Sequence, residues 1–167
     1  MFEECKNTKQ QGNIGLGSAI QYFSQKLYTI SLPLNDSQDY DLVVEDFDGT
    51  LKKVQVKTSS HLNRFGNTEV RLSVQGGNSK ENYIHKKANE VLYDWLFILC
   101  DNGDRYLIPK EIIKDLKSTI TVGKMYQEYK IQWFSSETGV HVCLKNRRMG
   151  FDSLGNHQFI FRTEIFF

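Results

Sequence analysis

Three polar residues in one short stretch could carry out phosphoryl chemistry: Asp41, Gln55 and Lys57. They lie on either side of Asp46-Phe47-Asp48-Gly49, which is a hairpin signal. Before it, Asp41 to Glu45 (DLVVE) is a short apolar run that reads as a buried strand. After it, Leu51 to Lys57 (LKKVQVK) alternates. Leu51, Lys53, Gln55 and Lys57 fall on one face, and Lys52, Val54 and Val56 on the other. If Phe47-Asp48-Gly49 is a three-residue loop with Gly49 in the left-handed position, Asp46 pairs with Thr50. Counting back then sets Asp41 opposite Gln55. Directly opposed residues share a face, and Lys57 follows two positions later on the same face. A two-residue loop would instead put Asp41 opposite Val56 and disperse the group.

The three side chains have complementary uses. A carboxylate at that point can hold Mg²⁺. An ammonium beside it can orient a water and offset charge on a phosphate in flight. An amide supplies a neutral oxygen ligand or holds the attacking water. Together these are parts for metal-assisted hydrolysis of a phosphodiester. A merely solvated strand could also display Lys53, Gln55 and Lys57, so the register of the hairpin decides between the two readings.

The elements that must position the trio can be read around it. Asn13 to about Lys26 reads as a helix with an apolar stripe of Ile14, Leu16, Ala19, Ile20, Phe23 and Leu27. Its start carries Gly12, Gly15 and Gly17. Such residues weaken a helix by up to about 1 kcal/mol each, so they point to the close approach of another backbone or of a ligand. The series lacks a preceding strand and a following Lys-Ser/Thr, which argues against a nucleotide loop. Leu27 to Leu32 reads as a strand ended by Pro33 and Asn35-Asp36-Ser37. Glu69 to Val74 and Trp95 to Cys100 are further strands. Gly76 to Val91 is polar and basic, a loop or a loop with one helical turn. Asn102-Gly103 is the strongest short hairpin signal, with Arg105 to Ile108 returning from it. Pro109 opens a short helix bearing Ile112, Ile113 and Leu116. Tyr129 to Phe134 and Gly139 to Leu144 look like strands, and Asn146 to Gly150 is a basic turn. The order defines an α+β protein with a mainly mixed or antiparallel sheet. Residues 1–118 form its core and 119–167 a C-terminal extension.

Composition narrows the classes. The 167 residues suit one domain with a real core. Lys plus Arg is 21 and Asp plus Glu is 20, a net charge of +1, which is not that of a highly basic DNA coat. No apolar run approaches the roughly 18 residues of a membrane span, and MFEECKNTKQ has no signal-like apolar region. Cys5, Cys100 and Cys143 are too few and scattered for a disulfide framework or zinc knuckle, so a reducing cytoplasm is the default. Cys100 sits in an apolar strand and reads as core. His61, His85, His141 and His157 lack metal-ligand spacing. Asp94 reads as a strand-edge residue.

The run from Asn13 to Ser60 resembles the PD-(D/E)XK nuclease superfamily, and within it the group I intron homing endonucleases and their phage relatives. Archaeal Holliday-junction resolvases are more distant. The matching pieces are the leading helix, a strand ending in Leu-Pro-Leu, Tyr40-Asp41-Leu42 and Gln55-Val56-Lys57, with Tyr106-Leu107-Ile108-Pro109 as a strand-to-helix join. The resemblance covers about residues 8–115. It implies a restriction-endonuclease-like central mixed sheet flanked by helices, and Mg²⁺-dependent DNA cleavage. It also implies Asp41 and the Val56 carbonyl as metal ligands, and Lys57 near the attacking water. Gln55 stands where many relatives carry Glu. Many also carry Glu in the first helix, in a G-x-x-G-E pattern, whereas here Gly12-Asn13-Ile14-Gly15 is followed by Leu16. The site thus holds one certain carboxylate, and nothing in the sequence places Glu3 or Glu4 there.

Basic residues cluster at Lys80, His85, Lys86 and Lys87, and again at Lys145, Arg147 and Arg148. In a nuclease these would be phosphate contacts or base readers on double-stranded DNA. The expectation is a site-specific, homing-type DNA endonuclease. A junction resolvase and a nuclease fold that binds DNA without cutting are the alternatives. The apolar C-terminus FIFRTEIFF packs either on its own sheet or on a second subunit, the latter giving a two-fold homodimer.

Overall fold

The structure is a computed structural model and describes residues 1–35, 38–76, 84–86, 90–116 and 118–131, with no side-chain description for 74–76 and 84–86. These residues all belong to one compact unit, Met1–Trp133.

Helix α1 spans Thr8–Gln25, starting five residues before the expected Asn13. The reason is a cap. Asn7 is extended, and its side-chain oxygen accepts from the Gln10 amide at 3.0 Å. That satisfies a free first-turn donor and offsets the weakness of the glycines that follow. The buried stripe is Gly15, Ser18, Ala19 and Phe23, while Ile14 and Leu27 of the expected stripe are exposed. Leu27 ends the helix in a left-handed conformation (φ 63°), with the Tyr28 amide bonded back to the Phe23 carbonyl.

Five strands of the main sheet follow in order: β1 Thr29–Ser31, β2 Leu42–Glu45, β3 Leu51–Ser59, then β7 Trp95–Cys100 and β8 Arg105–Pro109. Lys130–Ile131, β10, completes six, in the order β1-β2-β3-β7-β8-β10. Only the β3–β7 pair is parallel, so the sheet is mixed as expected. Its central strand β7 (WLFILC) is apolar throughout because both of its faces are covered. On one face α1 packs Ala19 and Phe23 against Leu42, Val44, Val54, Phe97 and Leu99. On the other, Leu96, Ile98 and Ile108 meet Val70, Leu72, Tyr93, Ile113 and Ile120. Cys100 is core, and burial lifts its thiol to about 11.

The second face is built differently from the expectation. The single strand Glu69 to Val74 is two, β4 Thr68–Arg71 and β5 Val74–Gly76, separated at Leu72-Ser73. Strand β4 pairs with β9, Thr119–Val122, and β5 pairs with β6, Ile84–Lys86, inside the stretch expected to be loop. A 3₁₀ helix, Lys124–Tyr129, leads to β10. Residues 119–131 therefore pair with the core strands, and the expected boundary at 118/119 falls within the compact unit. The short helix α2, Lys110–Ile113, follows Pro109 and buries Ile113, leaving Ile112 half exposed. Among the described residues no helix is long and apolar enough to cross a membrane. The expected strand at Gly139–Leu144, the turn at Asn146–Gly150 and FIFRTEIFF lie outside the described residues.

Candidate active site

The β2–β3 turn has the three-residue form. Gly49 is left-handed at φ +76°, its amide donates to the Asp46 carbonyl at 3.1 Å, and the Asp46 amide donates to Thr50. The Asp46 carboxylate also accepts from the Asp48 and Thr50 amides, which fixes the loop. Register runs from Glu45↔Leu51 to Leu42↔Val54, and one step further sets Asp41 beside Gln55. The odd-numbered residues of β3 face away from α1, so Asp41, Gln55 and Lys57 share the face opposite the helix.

Strand β2 leaves the sheet at this point. The last ladder bond is from the Asp41 amide to the Val54 carbonyl at 2.9 Å. The next β3 amide open toward β2 is that of Val56. It donates instead to Asp41 Oδ2 at 2.6 Å. The Gln55 amide nitrogen donates to the same Oδ2 at 2.5 Å and reaches the Val56 carbonyl at 3.3 Å. One nitrogen thus lies between the Asp41 carboxylate and the Val56 carbonyl, so the two oxygens converge on a common point. Asp41 Oδ1 accepts no hydrogen bond from the described residues.

Electrostatics set the pair apart. Burial pushes Asp41 above its ordinary 3.8, against the pull of the Val56 amide, the Lys57 charge and the Gln55 amide. Burial pushes Lys57 below its ordinary 10.5, and the Asp41 charge opposes that. Lys57 Nζ donates to the Ser73 carbonyl at 3.1 Å, so the break between β4 and β5 helps aim it. Sequence reasoning missed Ser73, because a backbone carbonyl has no side-chain signature.

A divalent ion suits this donor set. Two hard oxygens converge on one point, one from a carboxylate and one from a carbonyl, and Mg²⁺ accepts such a sparse set when waters and substrate phosphate complete it. No cluster of three or more His, Cys, Asp or Glu occurs among the described residues. Helix α1 does pass over β3: a side chain on Gly15 would collide with Thr58 and crowd Val56, and Leu16 packs in the same cluster as Val56. It brings apolar surface there and no carboxylate. Glu3 and Glu4 are exposed on a segment anchored on the helix side by Phe2. Asp39 is buried but accepts from the Leu92 amide, and Asp94 bonds Lys53 of β3 through backbone and carboxylate. Of the expected basic contacts, Lys80, Lys87, Lys145, Arg147 and Arg148 lie outside the described residues, and Lys86 falls on β6.

Asp41, Gln55 and Lys57 thus lie together on one face of a mixed sheet, at the point where its second strand peels away. The chain belongs to the PD-(D/E)XK endonuclease family, whose model matches residues 6–137. Nucleases of this family generally use divalent metal ions. Among solved structures it is similar to a bacterial homing endonuclease, I-Ssp6803I, with 27% sequence identity and a TM-score of 0.57. That match covers 71% of this chain and 79% of the other. Comparison with curated protein sequences gives no match.

Proposed function

We propose that this nuclease is a Mg²⁺-dependent, site-specific DNA endonuclease of the homing type. The observation that carries the reading is the convergence of the Asp41 carboxylate and the Val56 carbonyl, with Lys57 the next residue along the same strand. Asp41 and the Val56 carbonyl would hold the ion, with the Gln55 side-chain oxygen as a further neutral donor once the amide turns. Bound there, a divalent ion supplies Lewis acidity to the phosphate and a lower pKa to a coordinated water. Lys57 stands beside the attacking water and offsets charge building on the phosphate. Its tether to Ser73 keeps the ammonium from swinging onto Asp41 or into solvent.

Substrate binding falls to the basic residues. Lys80, Lys86 and Lys87 would engage double-stranded DNA from the β5–β6 region, and Lys145, Arg147 and Arg148 from the C-terminal part. The C-terminal residues would also support a homodimer, since one such site cuts one strand and a double-strand break needs two. The test is plasmid and genomic DNA incubated with the full chain and Mg²⁺. Discrete fragments, abolished by chelator, are expected. Cleavage confined to cruciform DNA would assign a junction resolvase. Gel retardation without cutting would assign a non-cleaving DNA-binding protein.

A further inference from the structure

Beyond the catalytic face, β3 and β4 join through a tip that holds two side chains out into solvent. The tip is Asn63-Arg64-Phe65-Gly66-Asn67. Four hydrogen bonds close it. The Asn63 amide donates to the Asn67 carbonyl at 2.9 Å and the Gly66 amide to the Asn63 carbonyl at 2.9 Å. The Asn63 side-chain oxygen accepts from the Phe65 amide at 2.9 Å and the Asn67 amide at 3.1 Å. Gly66 takes the left-handed conformation that the turn requires (φ +76°). On this frame Phe65 is 72% exposed, and the Arg64 guanidinium lies 4.7 Å from the centre of its ring.

A single exposed phenylalanine is ordinary on a protein surface. A phenylalanine held out by a closed turn and stacked on a guanidinium is a different object. Its exposure does not come from slack chain, and most of the apolar ring stays in water until something covers it. Charge points to the partner. Residues 59–68 contain no carboxylate, Arg64 lies beside the ring, and exposed Lys124 follows Gly123, which abuts Asn67. Cation and apolar ring together suit a duplex, with phosphate for the one and an opened base step for the other.

We propose that the Arg64–Phe65 tip is a second contact on the substrate duplex, Arg64 on a phosphate and Phe65 as a wedge at a base step flanking the cut. The proposal rests on the nuclease reading of the Asp41–Lys57 face. Lys57 and Arg64 are seven positions apart. At a strand rise of about 3.3 Å per residue the chain reaches at most about 23 Å, so the contact falls within about eight base pairs of the scissile phosphate. A wedge prefers steps that unstack easily, so pyrimidine–purine steps should be selected at that position.

The test cleaves a pool of randomised duplexes with the full chain and Mg²⁺, and aligns the sequenced products on the cut. The wild type should show a preference for a pyrimidine–purine step within about eight base pairs of the cut. Phe65→Ala should lose that preference alone and bind DNA roughly tenfold more weakly. In an Asp41→Ala background, where DNA is not consumed, Arg64→Ala should lower the salt slope of binding by about one. Both side chains are exposed, so unchanged thermal unfolding is expected and shows that the variants fold. Variants with unaltered cut-site pattern, affinity and salt slope would overturn the proposal. So would a lower oligomeric mass in Phe65→Ala, which would give the tip to a second copy of the chain. If the wild type neither cuts nor retards the pool, the nuclease reading falls and the tip proposal with it. If the wild type cuts and the tip variants match it, only the tip proposal falls.

Discussion

Asp41 and Lys57 each occupy a place that disfavours their charge, and the proposed mechanism needs both of them charged. Asp41 must be a carboxylate to act, yet burial raises its pKa. In the metal-free protein Asp41 should therefore take up its proton at a pH above 3.8, the ordinary carboxylate value. Lys57 must be an ammonium, yet burial lowers its pKa. The alkaline limb should accordingly set in below 10.5. Carboxyl NMR titration of the metal-free protein checks Asp41, and a pH–rate profile under saturating Mg²⁺ checks the alkaline limb; an Asp41 midpoint at or below 3.8 without metal would contradict the burial argument. Gln55 matters in the same way. Its amide nitrogen donates to Asp41 Oδ2, and Gln55→Glu would replace that donor with a second carboxylate in the same space. Without metal the variant should be less stable at neutral pH, by about 1–3 kcal/mol. A raised carboxylate pKa is a stability loss present above that pKa and relieved below it. Acidification should thus restore the variant, as should Mg²⁺. Thermal unfolding at two pH values, with and without Mg²⁺, reads this out.

The β2–β3 hairpin was legible because two simple periodicities met in it. A three-residue loop with Gly at its last position sets the pairing, and strand alternation carries it from Thr50 to Lys57. The start of α1 was less legible, since its glycines hid a helix whose beginning depends on the Asn7 cap. Its end was legible at about Lys26, next to Gln25, although Leu27 fills a left-handed position where glycine is usual. Strands β5, β6 and β9 went unread because each is short and pairs with a partner that only the tertiary fold brings near. The three helix glycines now separate. Gly12→Ala and Gly17→Ala meet open space and should stabilise the protein by about 0.5–1 kcal/mol. Gly15→Ala would drive its Cβ into Thr58 and should destabilise by about 1–3 kcal/mol despite the better helix former. Denaturant unfolding of the three variants checks the order, and a stabilised Gly15→Ala would contradict the packing of α1 on β3.

For the molecule as a whole, the α+β class was readable from the order of elements, and the central mixed sheet from the family resemblance. The partner of the second face was not, because β4 finds β9 across a long sequence separation. The site followed the fold: Asp41, Gln55 and Lys57 were brought together, while the Ser73 carbonyl emerged only from the packing of the second face. If the C-terminal residues close a dimer, light scattering at micromolar concentration should give twice 19.4 kDa, and a mass near 19.4 kDa both with and without DNA would refute it. The central claim concerns the face where β2 leaves β3. It is tested most directly by DNA cleavage with Mg²⁺ by the wild type, Asp41→Ala and Lys57→Ala, with folding verified by circular dichroism. The account predicts discrete products from the wild type and at least about a thousandfold lower rates from either variant, since ion holding and charge offset act together. Wild-type cleavage rates in folded Asp41→Ala protein would contradict it.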